Sequence, residues 1–327
     1  MKPKVFIAKP IPQEVEDYIA QHCEYKIWNK EEAIPKSELL KEVAEVEGLM
    51  TPKGVITKEF LTYAPHLKVV SNIAVGYDAF DTEAMRERRV IGTHTPYVLD
   101  DSVADLVFGL LLSAGRRIVE FDRYVKEGKW EKPLDSREFY GKDIHHATIG
   151  IIGLGRIGEK IMKRASAGFD MKVLYHNRSR KIELENQYGV LYRDIDDLLR
   201  ESDYVVVMLP LNESTTHIIG KGQFELMKND AVFINCSRGK VVDEQALISA
   251  LQNNEIRAAG LDVFEIEPIE KDNPLLKMNN VITLPHIGSC TNNTRFDMAM
   301  TAAENMVAAL TNQTPPNVVK ELQDLVK

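Results

Sequence analysis

The sequence predicts an α/β protein: a doubly wound parallel sheet joined to a second, smaller α/β domain. Three observations carry this. Short β-branched runs alternate with helix-compatible stretches along almost the whole chain, a rhythm that favours parallel strands because parallel neighbours need crossover connections. A glycine-rich turn, Gly153-Leu154-Gly155-Arg156-Ile157-Gly158, stands between one such run and a helical stretch. The chain has 327 residues, too many for one ordinary core, so two domains are expected.

The first strands are read at Lys4 to Ala8, Val46 to Met50, Lys68 to Ile73 and Val90 to Thr93. Asp100 to Lys126 follows as one long helix, opened by Asp100, Asp101 and Ser102 as capping residues and closed by Gly128. Its dense apolar run, Val103 to Leu112, is expected to be buried inside its domain or against another copy of the chain. Strands resume at Thr148 to Ile152, Lys172 to His176, Tyr204 to Leu209, Ala231 to Asn235, Arg257 to Asp262 and Val281 to Leu284. Asn292 to Leu310 is helical again and is expected to return to the first domain. Residues 1–98 and 290–327 therefore form one discontinuous domain in this reading, and residues 99–289 the other.

Composition excludes several classes. The 44% apolar and 28% charged content is that of a globular chain, and no window holds some twenty uninterrupted apolar residues, so no membrane span is expected. The apolar run of the first eight residues, ended by Lys9 and Pro10, is too short for the core of a signal peptide. Cys23, Cys236 and Cys290 show no paired spacing, which fits a reducing cytoplasm. A net charge of -8 argues against nucleic-acid binding, which needs a basic face. His145 and His146, adjacent in an extended segment, would point to opposite faces and make a poor metal pair, so no metal is expected.

The glycine turn has the context of a dinucleotide-binding loop. Gly153 permits a tight turn, Gly155 lets backbone approach a pyrophosphate, and Gly158 lets the following helix pack on the strand, with the helix N-terminus facing the phosphates. About 20 residues further on, an NAD enzyme places a carboxylate on the ribose hydroxyls. Here the segment reads Asn177-Arg178-Ser179-Arg180, neutral and then basic. An arginine forms charge-assisted bonds to a 2′-phosphate where a carboxylate repels it, so NADP(H) is favoured, with NAD(H) as the alternative. If Arg178 and Arg180 are instead a solvated loop, the choice of cofactor is relaxed.

Three later segments place polar residues just after apolar strands, at the edge where doubly wound sheets bind ligands: Asn235-Cys236-Ser237-Arg238-Gly239, Gly260-Leu261-Asp262-Val263-Phe264-Glu265-Ile266-Glu267-Pro268 and Leu284-Pro285-His286-Ile287-Gly288-Ser289. With the glycine loop they resemble the D-isomer-specific 2-hydroxyacid dehydrogenase family. Ala74-Val75-Gly76-Tyr77-Asp78 and Thr95-Pro96 extend the similarity over nearly the whole chain. The segment Tyr175 to Arg180 is most similar to the glyoxylate/hydroxypyruvate reductase branch, which includes 2-ketogluconate reductases.

The resemblance implies a Rossmann cofactor domain (99–289), a smaller flavodoxin-like substrate domain (1–98 with 290–327), and a homodimer made through the region of the long helix. It implies reduction of a small 2-keto acid, namely glyoxylate, hydroxypyruvate or 2-ketogluconate, to the D-2-hydroxy acid by NAD(P)H. Arg238 matches the cation such chemistry needs, its planar fork suited to a carboxylate. His286 matches the proton donor. Glu267 matches the carboxylate that orients the ring and stabilises the imidazolium; Glu265 competes for that role, but the family's spacing, five residues after the aspartate, selects Glu267.

Asp262 resembles the family's cofactor-contacting aspartate. Further cofactor contacts are expected at Arg156, Ile157, Asn177, Arg178, Ser179, Leu209, Pro210, Cys236, Ser237, His286 and Gly288. Val75 and Gly76 would offer backbone N–H groups to the substrate carboxylate, and the loop Met50 to Gly54 would face the substrate's far end, with Lys53 either holding a sugar acid or simply solvated. The domains are expected to close around their ligands. Two alternatives remain: a nucleotide-sensing, corepressor-like binding protein of the same architecture, and phosphoglycerate dehydrogenation within the family.

Overall fold

The apolar runs fold into two all-parallel sheets. A computed structural model describes residues 2–52, 54–133 and 136–326, and divides the chain into two units, Met1–Leu99 with Cys290–Lys327, and Asp100–Ser289. In the first unit, β1 (Lys4–Ile7), β2 (Glu24–Ile27), β3 (Gly48–Thr51), β4 (Val69–Asn72) and β5 (Ile91–Thr93) lie in the order β2-β1-β3-β4-β5, the flavodoxin-like order. Strand β2 was not among the strands read from the sequence. It is an edge strand, Glu-Tyr-Lys-Ile, with no residue fully buried, so it carries none of the β-branched signal of its inner neighbours.

The C-terminal helix Asn292–Leu310 packs on β3 and β4 and on helix Gln13–His22, which returns the end of the chain to the first unit. Alanines let it lie close: Ala299, Ala302 and Ala303 are buried, and Ser71 Oγ donates to Ala302 O at 2.6 Å. The buried Asn305 of the same helix donates to His94 O (3.0 Å) and accepts from Asn317 N–H (3.0 Å), joining helix, strand end and C-terminal segment.

In the second unit, β6 (Thr148–Ile152), β7 (Lys172–His176), β8 (Leu191–Tyr192), β9 (Tyr204–Val207), β10 (Val232–Asn235), β11 (Ala258–Leu261) and β12 (Val281–Thr283) run in the order β12-β11-β10-β9-β6-β7-β8. The chain therefore reverses direction across the sheet between β6 and β9, the switch point of a Rossmann fold, and its crevice lies at the carboxyl ends of those strands. The apolar inner strands need no alternation, because helices cover both faces.

Two expectations change here. The long helix Asp100 to Lys126 is two helices, Asp100–Gly115 and Ile118–Lys126, parted at Arg117, which adopts φ 57° and ψ 35°. Tertiary bonds explain the break: Gly115 O is taken by Lys142 N–H at 2.7 Å, and the Arg117 guanidinium clips Glu120 at 2.6 and 2.8 Å. Helix Asp100–Gly115 buries Val103, Val107, Phe108, Leu110 and Leu111 and packs on β10, β11, β12 and helix Arg156–Phe169 of its own unit. His145 and His146 do not lie in an extended segment but in a turn, with His146 at φ 62° and the two rings edge to face at 5.1 Å. Among the described residues, no helix is long and apolar enough to cross a membrane, and no group of three His, Cys, Asp or Glu side chains is placed to hold a metal ion.

Candidate active site

At the end of β6 the backbone turns through Gly153, at φ 106°, a conformation glycine adopts without a Cβ penalty. A side chain there would strike the backbone of Met208, just after β9, so the glycine also lets the two central strands approach at the switch point. Gly155 caps helix Arg156–Phe169, and a Cβ on Gly158 would strike Gly153 O. Gly155 and Arg156 are exposed, so the N-terminus of the helix lies at the surface, as an anion site requires. Arg156 Nε is held 3.3 Å from Asp100 Oδ2; burial pushes the Asp100 carboxyl above its ordinary range, with Arg156 opposing. Leu209 lies against Gly153 and is half-buried, and Pro210 is exposed.

The residues after β7 divide the work expected of them. Asn177 accepts from Leu154 N–H at 2.7 Å and donates to Leu154 O at 3.1 Å. Its amide thus clamps the middle of the glycine turn, a reciprocal pair that no carboxylate could complete. Arg180 pairs with Glu185 and lies 5.7 Å from the Tyr192 ring, while Tyr175 Oη donates to Glu185 (2.6 Å) and accepts from Lys181 N–H (2.7 Å). Arg178 and Ser179 are exposed, and Arg178 forms no ion pair among the described residues.

Arg238 follows β10 on a turn built by a residue the sequence reading passed over. Asn235 accepts from both Ser237 N–H (3.0 Å) and Ser237 Oγ (2.9 Å) and donates to Arg238 O (3.1 Å). The signal was present in Asn-Cys-Ser, since asparagine readily folds such a turn on its own side chain. Arg238 Nη1 donates to Ser237 O at 2.8 Å. Gly239 next to it has no room for a Cβ, which would overlap the backbone of Phe264 and Glu265, so the Arg238 turn is pressed onto the segment carrying Glu267. Cys236 and Ser237 are buried, and burial pushes the Cys236 thiol well up, leaving it protonated.

His286 stands beyond β12 at φ 56°, a left-handed conformation that costs a histidine energy unless its surroundings impose it. Asp262 imposes it. This carboxylate, 1% exposed at the end of β11, accepts from Ile287 N–H (2.7 Å) and Gly288 N–H (2.8 Å). Burial raises the Asp262 pKa, the two N–H bonds and His286 oppose it, and Glu267 adds to it. Asp262, expected at the cofactor, thus has both oxygens on the loop that holds the histidine.

The ring's Nδ1 lies 2.9 Å from Glu267 Oε2, and Glu267 Oε1 accepts from Phe264 N–H at 3.3 Å. An ionised carboxylate only accepts, so Nδ1 carries the proton and Nε2 is the position for exchange. Glu265 faces elsewhere: it pairs with His217 Nε2 at 2.8 Å and accepts from Glu244 N–H at 3.1 Å. Val75 and Gly76 belong to the other unit, where they follow β4 and are half-buried. Lys53 lies outside the described residues.

Comparison with known proteins identifies the family. A model of the D-isomer specific 2-hydroxyacid dehydrogenase NAD-binding domain matches residues 108–288. Glyoxylate/hydroxypyruvate reductase B of Klebsiella pneumoniae is 44% identical over 321 residues, 98% of each chain. The crystal structure of the TT0316 protein of Thermus thermophilus superposes with a TM-score of 0.89 at 36% identity, covering 97% of this chain and 99% of that one. The NADPH-dependent glyoxylate/hydroxypyruvate reductase of Sinorhizobium meliloti, solved with NADP and malonate, superposes with a TM-score of 0.85 at 29% identity, covering 99% and 98%.

Proposed function

Because the chain belongs to the D-isomer-specific 2-hydroxyacid dehydrogenase family, we propose that it reduces a small 2-keto acid, of the size of glyoxylate, hydroxypyruvate or 2-ketogluconate, to the D-2-hydroxy acid with NADPH. The observation that carries this reading is the His286–Glu267 pair, at 2.9 Å, on the same unit as the glycine cradle and Arg238.

The cradle fits a dinucleotide, since side chains at Gly153 and Gly158 would fill the space its turn needs. Residues 153–158 would hold the pyrophosphate, and Arg178 with Ser179 the 2′-phosphate, in the absence of any carboxylate at position 177. NADH is the alternative donor. When bound, the nicotinamide supplies the hydride that reduces the carbonyl carbon. Arg238 binds the substrate carboxylate and draws electron density from the adjacent carbonyl. His286 Nε2 delivers the proton to the carbonyl oxygen as negative charge develops there. Glu267 stabilises the imidazolium, which is the proton donor in reduction and forms again by proton abstraction in the reverse direction, and the Asp262 clamp keeps the ring's backbone in place. Val75 and Gly76 are proposed to offer backbone N–H groups to the substrate.

We further propose a homodimer in a reducing cytoplasm. Helix Asp100–Gly115 spends its apolar face within its own unit, but Ile118, Val119, Val125, Trp130 and Tyr140 just beyond it are exposed and offer a surface for a second copy. Cys23, Cys236 and Cys290 form no disulfide among the described residues. The direct test is a panel of 2-keto acids assayed with NADH and with NADPH. Turnover with NADPH on at least one small keto acid is expected; no oxidation of either cofactor across the panel would sink the reading.

A further inference from the structure

The loop after β4 has its carbonyls tied down one by one. Ala74 O accepts from Thr95 N–H (3.0 Å), Val75 O from His94 Nδ1 (2.8 Å) and Gly76 O from Asn72 Nδ2 (2.8 Å). In a trans peptide the N–H points away from the C=O, so each bonded oxygen leaves the N–H of the same peptide, on Val75, Gly76 and Tyr77, facing away from the group that holds it. None of the three donates a hydrogen bond among the described residues. Three successive N–H groups with no protein acceptor are the kind of donors that can receive an anion.

We propose that Asn72 and His94 are positioning residues for substrate, which preset this N–H cradle for the carboxylate of the keto acid. The inference rests on the function proposed above and adds what aims the cradle. Two features favour positioning over simple packing. Asn72 is 3% exposed and its Oδ1 has no protein partner among the described residues, so the side-chain hydrogen bond it makes is the one it gives Gly76 O. A buried amide with one end unsatisfied costs stability, and an apolar residue would fill the place more cheaply. His94, for its part, is steadied at both ends of the arrangement: its ring stands edge-on to Tyr77 at 5.2 Å, and its own carbonyl accepts from the buried Asn305 at 3.0 Å. Because a carbonyl only accepts, the His94 tautomer is Nδ1–H, and that donor survives protonation of the ring.

The experiment compares Asn72→Asp, His94→Phe and His94→Asn in the full chain. The aspartate keeps the shape but cannot donate to Gly76 O, the phenylalanine keeps the ring without the donor, and the asparagine restores a donor near the Nδ1 position. Asn72→Asp and His94→Phe are expected to raise the KM for the keto acid about tenfold, equivalent to about 1.4 kcal/mol, with the KM for NADPH within about twofold. The inhibition constant of oxalate should rise in parallel, and His94→Asn should restore most of the loss. If Asn72→Asp does not fold, the two His94 variants decide. An unchanged keto-acid KM in His94→Phe, or KM values for both substrates rising together without recovery in His94→Asn, overturns the positioning role. A wild-type protein that turns over no keto acid overturns the functional reading, and this inference with it.

Discussion

Glu267 and Glu265 are two residues apart, yet only one reaches the histidine, at 2.9 Å, while the other is bound to His217 and to the N–H of Glu244. The division makes a sharp prediction. Glu267→Gln keeps an acceptor for Nδ1–H but removes the charge that stabilises the imidazolium, so kcat should fall about 10- to 100-fold with the KM for NADPH nearly unchanged. Steady-state kinetics check it; an equal loss in Glu265→Gln would remove the distinction. At the other end of the cradle, Arg178 is the exposed cation while Arg180 is engaged with Glu185 and Tyr192. Arg178→Ala should raise the KM for NADPH about tenfold and leave that for NADH within about twofold. The residue types at these positions could be read from the sequence, because arginine, glutamate and histidine have few chemical uses at the mouth of a parallel sheet. The partners of Asn177 and Asp262 could not, since each bond joins segments brought together only by folding.

Between elements, the ends of the two central strands are joined by Asp203, just before β9. Its Oδ2 accepts from Thr148 N–H at the start of β6 (2.8 Å), and its Oδ1 lies 3.0 Å from Lys228 and 3.3 Å from Lys142. Burial alone would raise its pKa, but the Thr148 N–H and the two lysines outweigh it, and the net shift is downward. A folded-state pKa below the unfolded value means the carboxylate adds stability above about pH 4, lost as pH falls through the folded value. Asp203→Asn should therefore cost about 1–2 kcal/mol at neutral pH and progressively less below about pH 4, as read by urea unfolding at both pH values. A penalty that did not change with pH would show that shape, not charge, joins the strands. Element identity followed from periodicity and β-branched runs for the inner strands and for the edge strands β5 and β12, whereas the edge strands β2 and β8 were invisible: one is polar and the other has only two residues. The break at Arg117 has Gly115 two residues before it but no proline, and a single glycine inside a helical pattern does not by itself announce a break.

At the scale of the whole molecule, the exposed side chains of Val125 and Trp130 are where a second copy is proposed to sit. The pair Val125→Asp and Trp130→Asp should shift the protein from dimer to monomer in sedimentation equilibrium; a dimer unchanged in mass would place the contact elsewhere. What the sequence determined by itself was the fold class and the chemistry at hand. Strand–helix alternation, the glycine spacing and polar residues at strand ends are short-range signals, because each reflects a steric or hydrogen-bonding demand within a few residues. Only the tertiary structure decided that Asn177 clamps the glycine turn, that Asp262 holds His286 at φ 56°, and that the His94 ring takes Val75 O. Those outcomes depend on groups 19 to 26 positions apart meeting at 2.7–2.8 Å, and such distances are set by how the strands pack and not by the order of residues along the chain.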